Sequence, residues 1–307
     1  MHEEALEAAR ELQASLVDIG DTNKKTHLDI DIHKVAKKGD VKTLAECLYL
    51  EPFCLHERKI RTEETPLHIA VEYGRHAAVV FLLESGADVK AATAQGLTAL
   101  HKAAVKGDLE CAKLLVEACI DREVEEADLE DDVSVESLGS VRRGRRSLKV
   151  EEEEKPIIEI PKNHIVACGL INAYDNDWLT PLHYACISGA TEMVAYLLDC
   201  GSLPAIQSKG AGDDCLHLAS FYGNTATVEH LLTFKGRITL GMNVLTRNKH
   251  GNTCLHRACE RGHYETARYL QKQGANLLVV NDANETPIDL ASPETIKYLT
   301  PLVKKKK

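Results

Sequence analysis

Six histidines stand at one recurring place in the chain, three residues into stretches that in their fullest form read Thr-Pro-Leu-His: His33, His68, His101, His183, His217 and His256. Imidazole titrates near neutral pH and serves as proton shuttle, partner to a nucleophile, or metal ligand. Cysteines stand close to two of these rings, in Cys215-Leu-His217 and Cys254-Leu-His256, with Cys259 nearby. Thiolate and imidazole together are zinc donors. The placement argues against both chemistries. A catalytic ring is needed once, and here it recurs with each copy of the stretch. Cys254 takes the slot that other copies give to Pro, and Cys186 and Cys259 take small-residue slots, where Cys behaves as a small hydrophobe. SKGAGDD, from Ser208 to Asp214, lacks the Lys-Ser/Thr ending of a phosphate-binding loop. The reading is therefore no catalytic residue, no metal and no cofactor: not an enzyme. The contrary class is a cysteine- or metal-dependent enzyme.

What positions the histidines is a repeat. Aligned registers begin at Ile30, Thr65, Thr98, Thr180, Asp214, Thr253 and Thr286, at intervals of 35, 33, 82, 34, 39 and 33 residues. Two positions on comes Leu or Ile in every copy. Five positions on comes Ala, with Val35 the exception, and nine positions on comes Gly in all but the last. Thr or Asp at the start caps a helix, and Pro beside it suits the first turn. The Ala lets a neighbouring helix approach closely, and the Gly takes the left-handed conformation that ends a short helix. In the first unit Ile30 replaces the capping Thr. A second apolar set at helical spacing follows, as in Val79, Leu82 and Leu83. Helices of about eight residues are too short to stand alone, so these must stack.

The motif resembles the ankyrin repeat, over roughly residues 27–303 with one insertion set aside. The resemblance implies an all-α solenoid of about seven helix-turn-helix-hairpin repeats. It also implies that the histidine rings bond the capping Thr and the backbone of the neighbouring turn. A protein partner would then meet the concave side of the first helices and the hairpin tips. On those positions the candidate partner-binding residues are Tyr73, Lys106, Trp178, Leu179, Ile187, Phe221, Tyr222, Lys249 and Arg261, read as one central patch with a basic rim. Trp178 sits where other units carry Gly96, Gly212 and Gly251. Trp resists the positive φ that Gly adopts, which predicts an altered turn there. Trp178 either anchors a partner or packs against the adjacent insertion.

The 82-residue interval holds 49 residues beyond one unit of 33. Residues 121–165 run from REVEEADLEDD through RRGRRSLK to EEEE, a charged composition that predicts a disordered acidic and basic insertion. The plain reading is a tolerated surface loop. Sharper readings make RRGRRSLK a nuclear import signal or place Ser147 as a phosphosite, although Gly144 occupies a position that basophilic kinases want basic. Ile157, Ile158 and Ile160 beside the acidic run are similar to a SUMO-interacting motif. The expected organisation is an amphipathic extension over 1–26, repeats 1–3 over 27–120, the insertion over 121–165, repeats 4–7 over 166–303 and a basic tail over 304–307.

A formal charge of −10 argues against nucleic-acid binding, and no apolar run reaches the ~20 residues that insertion into a membrane needs. Ten scattered cysteines and an acidic N-terminus without signal-peptide character point to a cytoplasmic or nuclear protein, monomeric on its own. The function expected is a protein–protein interaction scaffold or adaptor. An assembly chaperone or regulatory inhibitor subunit is the alternative within that class.

Overall fold

The computed structural model describes residues 31–131, 169–234 and 242–303. They form seven helix pairs: α1 Ile32–Lys38 with α2 Val41–Leu50, α3 Pro66–Glu72 with α4 His76–Glu84, α5 Ala99–Lys106 with α6 Leu109–Asp131, α7 Pro181–Ser188 with α8 Thr191–Asp199, α9 Cys215–Phe221 with α10 Thr225–Thr233, α11 Cys254–Glu260 with α12 Tyr264–Lys272, and α13 Pro287–Leu290 with α14 Pro293–Val303. Each first helix packs on the first helix of the next unit, and the second helices stack in a row behind them. Ala70, Ala103, Ala185, Ala219 and Ala258 are wholly buried where the first helices meet, and Leu67, Leu82, Leu100, Leu115, Leu182, Leu197 and Leu216 fill one continuous core. Among the described residues, no helix is long and apolar enough to cross a membrane.

The histidines join one unit to the next. Thr65 accepts the His68 backbone N–H at its hydroxyl, while His68 Nδ1 accepts from the Thr65 backbone N–H at 3.3 Å and lies 2.8 Å from the Thr65 hydroxyl. With Nδ1 accepting, the ring proton must sit on Nε2, where it donates to the Leu97 carbonyl of unit 3 at 3.1 Å. The same three bonds recur at Thr98–His101, Thr180–His183 and Thr253–His256, reaching the carbonyls of Leu179, Ile206 and Glu285. Each ring thus satisfies a helix cap in its own unit and a backbone acceptor in the next.

Three units depart from this pattern. In unit 1 the cap is Asp31, one residue beyond the expected Ile30, and its carboxylate accepts from the His33 backbone N–H at 3.0 Å. In unit 5 Asp214 stands in the cap position with Oδ1 2.8 Å from His217 Nδ1. His217 Nε2 still reaches the Asn252 carbonyl at 3.0 Å, so both ring nitrogens face acceptors and the imidazolium form is favoured. In unit 7 Asp289 takes the place of the histidine and receives the Thr286 N–H and O–H at 2.8 and 2.6 Å.

The insertion does not interrupt the stack. Fingertips bond their neighbours through the backbone from Ala94 N–H to Thr62, from Asn176 N–H to Gln95, from Lys209 N–H to Asp177, from Lys249 N–H to Ala211 and from Asp282 N–H to His250. The second of these links spans the insertion, as does the bond from His101 to Leu179. The expected loop over 121–165 is corrected at its start, because α6 continues to Asp131, well past the nine residues of α4, α8, α10 and α12. Arg122 helps hold that continuation by donating to the Ala87 carbonyl just beyond α4 and to the Leu83 carbonyl in its last turn, at 2.7 and 3.0 Å. The N-terminal extension, Ser147, Ile157, Ile158, Ile160 and the basic tail lie outside the described residues.

Burial drives the imidazoles of His68 and His101 down to about 4, against the pull of the carbonyls they donate to, and lowers those of His183 and His256. A ring kept neutral in the fold but free to protonate near 6.5 when unfolded adds stability above about pH 6.5, which is lost as pH falls toward 4. For His68 and His101 that loss is on the order of 3 kcal/mol each. His217 runs the other way: burial lowers it, but the Asp214 carboxylate outweighs burial and raises it. Its contribution is present below about pH 6.5 and is lost as pH rises through its folded value. Denaturant midpoints measured from pH 7 to pH 5 should therefore fall, and Asp214→Thr, which makes a fifth neutral ring, should steepen the fall. A flat profile in both chains would contradict this assignment of ring protons.

Candidate functional site

The fingertips share one turn. Two residues before each cap the backbone has positive φ: Glu63 at 53°, Gly96 at 82°, Trp178 at 60°, Gly212 at 71°, Gly251 at 71° and Asn284 at 61°. Trp178 N–H bonds the Asp175 carbonyl at 3.1 Å, as Gly96 bonds Thr93 and Gly251 bonds Asn248. The altered turn expected at Trp178 is thus not found. The turn is kept, and the left-handed strain, of order 1 kcal/mol, falls on the Trp backbone. Neither is the indole compensated by burial: it is 53% exposed, with the Lys249 ammonium 6.0 Å from its ring centre. Lys249 reaches it from unit 6 by lying across the tip of unit 5. A Cβ built on Gly212 would sit 2.5 Å from Lys249 Cγ, so Gly212 is needed there for clearance as well as for its φ. Lys249 Nζ also donates to the Lys209 carbonyl at 2.7 Å.

Below the tips, the first helices carry Phe221 beside two guanidinium groups, Arg257 at 4.7 Å and Arg261 at 4.3 Å, with Tyr222 edge-on at 5.3 Å. Arg257 is fixed by Asp213 and by Glu260 at 2.9 Å, and Asp213 in turn accepts from Asn248 Nδ2 at 2.7 Å, beside Lys249. These contacts connect tip and helix into one strip across units 4–6. Ile187 lies half-buried on α7 of the same strip, and Leu179 is occupied by its backbone, which receives His101.

Tyr73 and Lys106 do not join that strip. Tyr73 lies on unit 2, with α5 and α7 between it and Phe221. It stacks on the Lys37 ammonium at 4.6 Å and lines a cleft of about 340 Å³ with Lys34, Lys59 and Glu72. Lys106 donates to the Glu72 carbonyl at 3.3 Å. The single patch expected from the sequence is therefore two separate groups. Between them Lys102 pairs with Glu64 and, at 2.6 Å, with Glu72. Burial pushes Glu64 up, but the Lys102 ammonium, with Thr62 and Lys59, brings its carboxyl down to about 2. Lys102 and Arg257 hold the same repeat position, four residues past the cap, and each reaches an acid just before the cap of the preceding unit. The spacing was there to be read; the side-chain partners were not.

A model of ankyrin repeats matches residues 32–127, 158–240 and 216–306. The chain belongs to the ankyrin repeat family. It is 29% identical to human transient receptor potential cation channel subfamily A member 1 over 222 residues, covering 72% of this chain and 18% of that protein. A Caenorhabditis elegans homolog of that channel is 27% identical over 244 residues, 78% of this chain and 18% of its own length. The chain thus spans about a fifth of these relatives. The crystal structure of the Bcl-3 ankyrin repeat domain, 22% identical, superposes with a TM-score of 0.59 over 89% of this chain and 99% of that one, a likeness of fold.

Within this ankyrin stack the cysteine and histidine donors do not converge on an ion. Both ring nitrogens of His217 and His256 are committed to hydrogen bonds, and Cys186, Cys215, Cys254 and Cys259 are buried thiols among core side chains. Cys119, by contrast, is disulfide-bonded. His76, Asp108 and Cys111 do stand within 4.8 Å of one another. Asp108 caps α6 by accepting from Cys111 N–H and pairs with His76 at 2.9 Å, while burial keeps the Cys111 thiol protonated. Two helix N-termini with their positive ends meet there, which opposes a cation. Asp108 works as a cap and an ion-pair partner.

Strain at the unit-4 tip makes an ordered prediction. Trp178→Gly should be more stable than Trp178→Ala by about 1 kcal/mol, because only Gly relieves the left-handed backbone. Gly212→Ala should be destabilised and should release Lys249. Denaturant unfolding of the three chains checks both; Ala equal to Gly at 178 would mean that the tip is unstrained.

Proposed function

We propose that this ankyrin repeat protein is a non-enzymatic scaffold or adaptor that holds a protein partner against the strip of units 4–6. Stacked first helices and bonded fingertips form a rigid face, so little ordering entropy opposes association. Aromatic side chains with Arg beside them are the usual anchors of such interfaces. Phe221, Tyr222, Arg261 and Trp178 supply that composition in a chain with only 5% aromatics.

The observation that carries the reading is Trp178. Its turn is the one that Gly makes at Gly96, Gly212 and Gly251, yet it keeps a large, half-exposed indole at a backbone conformation that disfavours it. Packing does not account for a strained and exposed Trp; a role outside the fold does. Lys249, Ile187 and Leu179 border it.

The test is quantitative capture of the partner isolated with the native chain. Phe221→Ala with Tyr222→Ala, and separately Trp178→Gly, should each weaken capture by at least about tenfold, or about 1.4 kcal/mol. The first pair should also lose about 1 kcal/mol of stability, since Phe221 packs against two guanidinium groups. Tyr49→Ala on α2, equally exposed but on a second helix, should change neither. Capture that survives both strip variants retires this face as the docking surface.

A further inference from the structure

Net charge and local charge disagree on the strip. The chain carries −10, yet Arg261 and Lys249 have no carboxylate within ion-pair distance among the described residues. Arg257, one helical turn before Arg261, is instead held by two, Asp213 and Glu260. The fold therefore saturates one cation for its own assembly and leaves two over aromatic rings. Arg261 lies 4.3 Å over Phe221, and Lys249 lies 6.0 Å from the Trp178 ring centre.

That placement has chemical consequences. A guanidinium over a ring can keep N–H donors free, and these form a planar fork that matches a carboxylate. The ring also restricts the side chain, so less rotamer freedom is lost when an anion arrives. Lys249 spends one donor on the Lys209 carbonyl and has two left. Each cation therefore sits beside an apolar surface: Trp178 for Lys249, and Phe221 with Tyr222 for Arg261.

We propose that the segment bound by this strip is an acidic peptide in which carboxylates alternate with large apolar side chains. The carboxylates pair with Arg261 and Lys249, and the apolar groups cover Phe221, Tyr222 and Trp178. This rests on the strip being the docking face and names the chemistry of what docks there.

Two fluorescein-labelled peptides test it by anisotropy against the full chain. One alternates Asp or Glu with Leu and Phe; its twin carries Asn and Gln instead. The acidic peptide should bind the native chain at least about tenfold more tightly than the twin, and added salt should narrow that gap. In the Lys249→Gln, Arg261→Gln double variant the two peptides should bind alike. Equal affinity for the twins in the native chain, a preference that persists in the double variant, or no binding of either peptide would overturn the acidic assignment. None of these results touches the strip itself, which stands or falls by capture of the isolated partner with Trp178→Gly.

Discussion

A neutral imidazole with its proton on Nε2 is the part on which the stack depends. Helices of seven or eight residues leave most of their backbone donors and acceptors at their ends, where an unpaired buried group costs more than so short a helix gains. The ring resolves this on two sides at once. Its unprotonated Nδ1 closes the cap of its own unit, and its Nε2–H serves a carbonyl in the next. A Ser or Asn could cap, but neither reaches across to the neighbouring finger while doing so. The histidines are thus the polar half of the interface whose apolar half is the buried Ala and Leu column.

The departures from that rule show the ring's two tasks separately. In unit 7 Asp289 stands where the ring would be and closes the cap by itself, without a bridge. Unit 5 keeps the bridge to Asn252 but replaces Thr with Asp214, so the ring stands between a carboxylate and a carbonyl and its protonated form is favoured. A buried ion pair of this kind is costly to desolvate unless its hydrogen bonds are complete, and both nitrogens here are satisfied. One position in the array thus favours the charged ring, where His68, His101, His183 and His256 favour the neutral one.

Much of this was legible because the repeat is read from residues that answer to the backbone. Thr65, Pro66, His68, Ala70 and Gly74 each have one local task, and the same task in the next unit makes the spacing visible. The rest depended on side chains meeting across units. Nothing in the spelling of Lys102 and Arg257 says which acid each would meet, and Tyr73 and Tyr222 share a repeat position but lie on different parts of the stack. The Trp178 turn was misread for a related reason. Propensity priced the residue alone, whereas neighbouring tips bond Asn176 to Gln95 and Asp177 to Lys209, and the turn those bonds hold places its left-handed residue at Trp178. The early part of the insertion was misread from its charge, since α6 propagates from an already formed helix and continues through acidic residues that would not start one.

The same division separates architecture from recognition on the strip. Asp213, Arg257, Glu260 and Asn248 are tied to one another, and a change in any of them would be felt by the stack. Arg261, Lys249, Trp178 and Tyr222 rest on that network without closing it. Gly212 stands between the two sets: its missing Cβ lets the fingers pack and at the same time opens the channel along which Lys249 reaches the indole. The face proposed for binding therefore requires no loop to order and no helix to move. It follows from which side chains the repeat leaves unassigned once caps, bridges and ion pairs have taken their partners, and on the strip these include Arg261 and Lys249, which lie over the Phe221 and Trp178 rings.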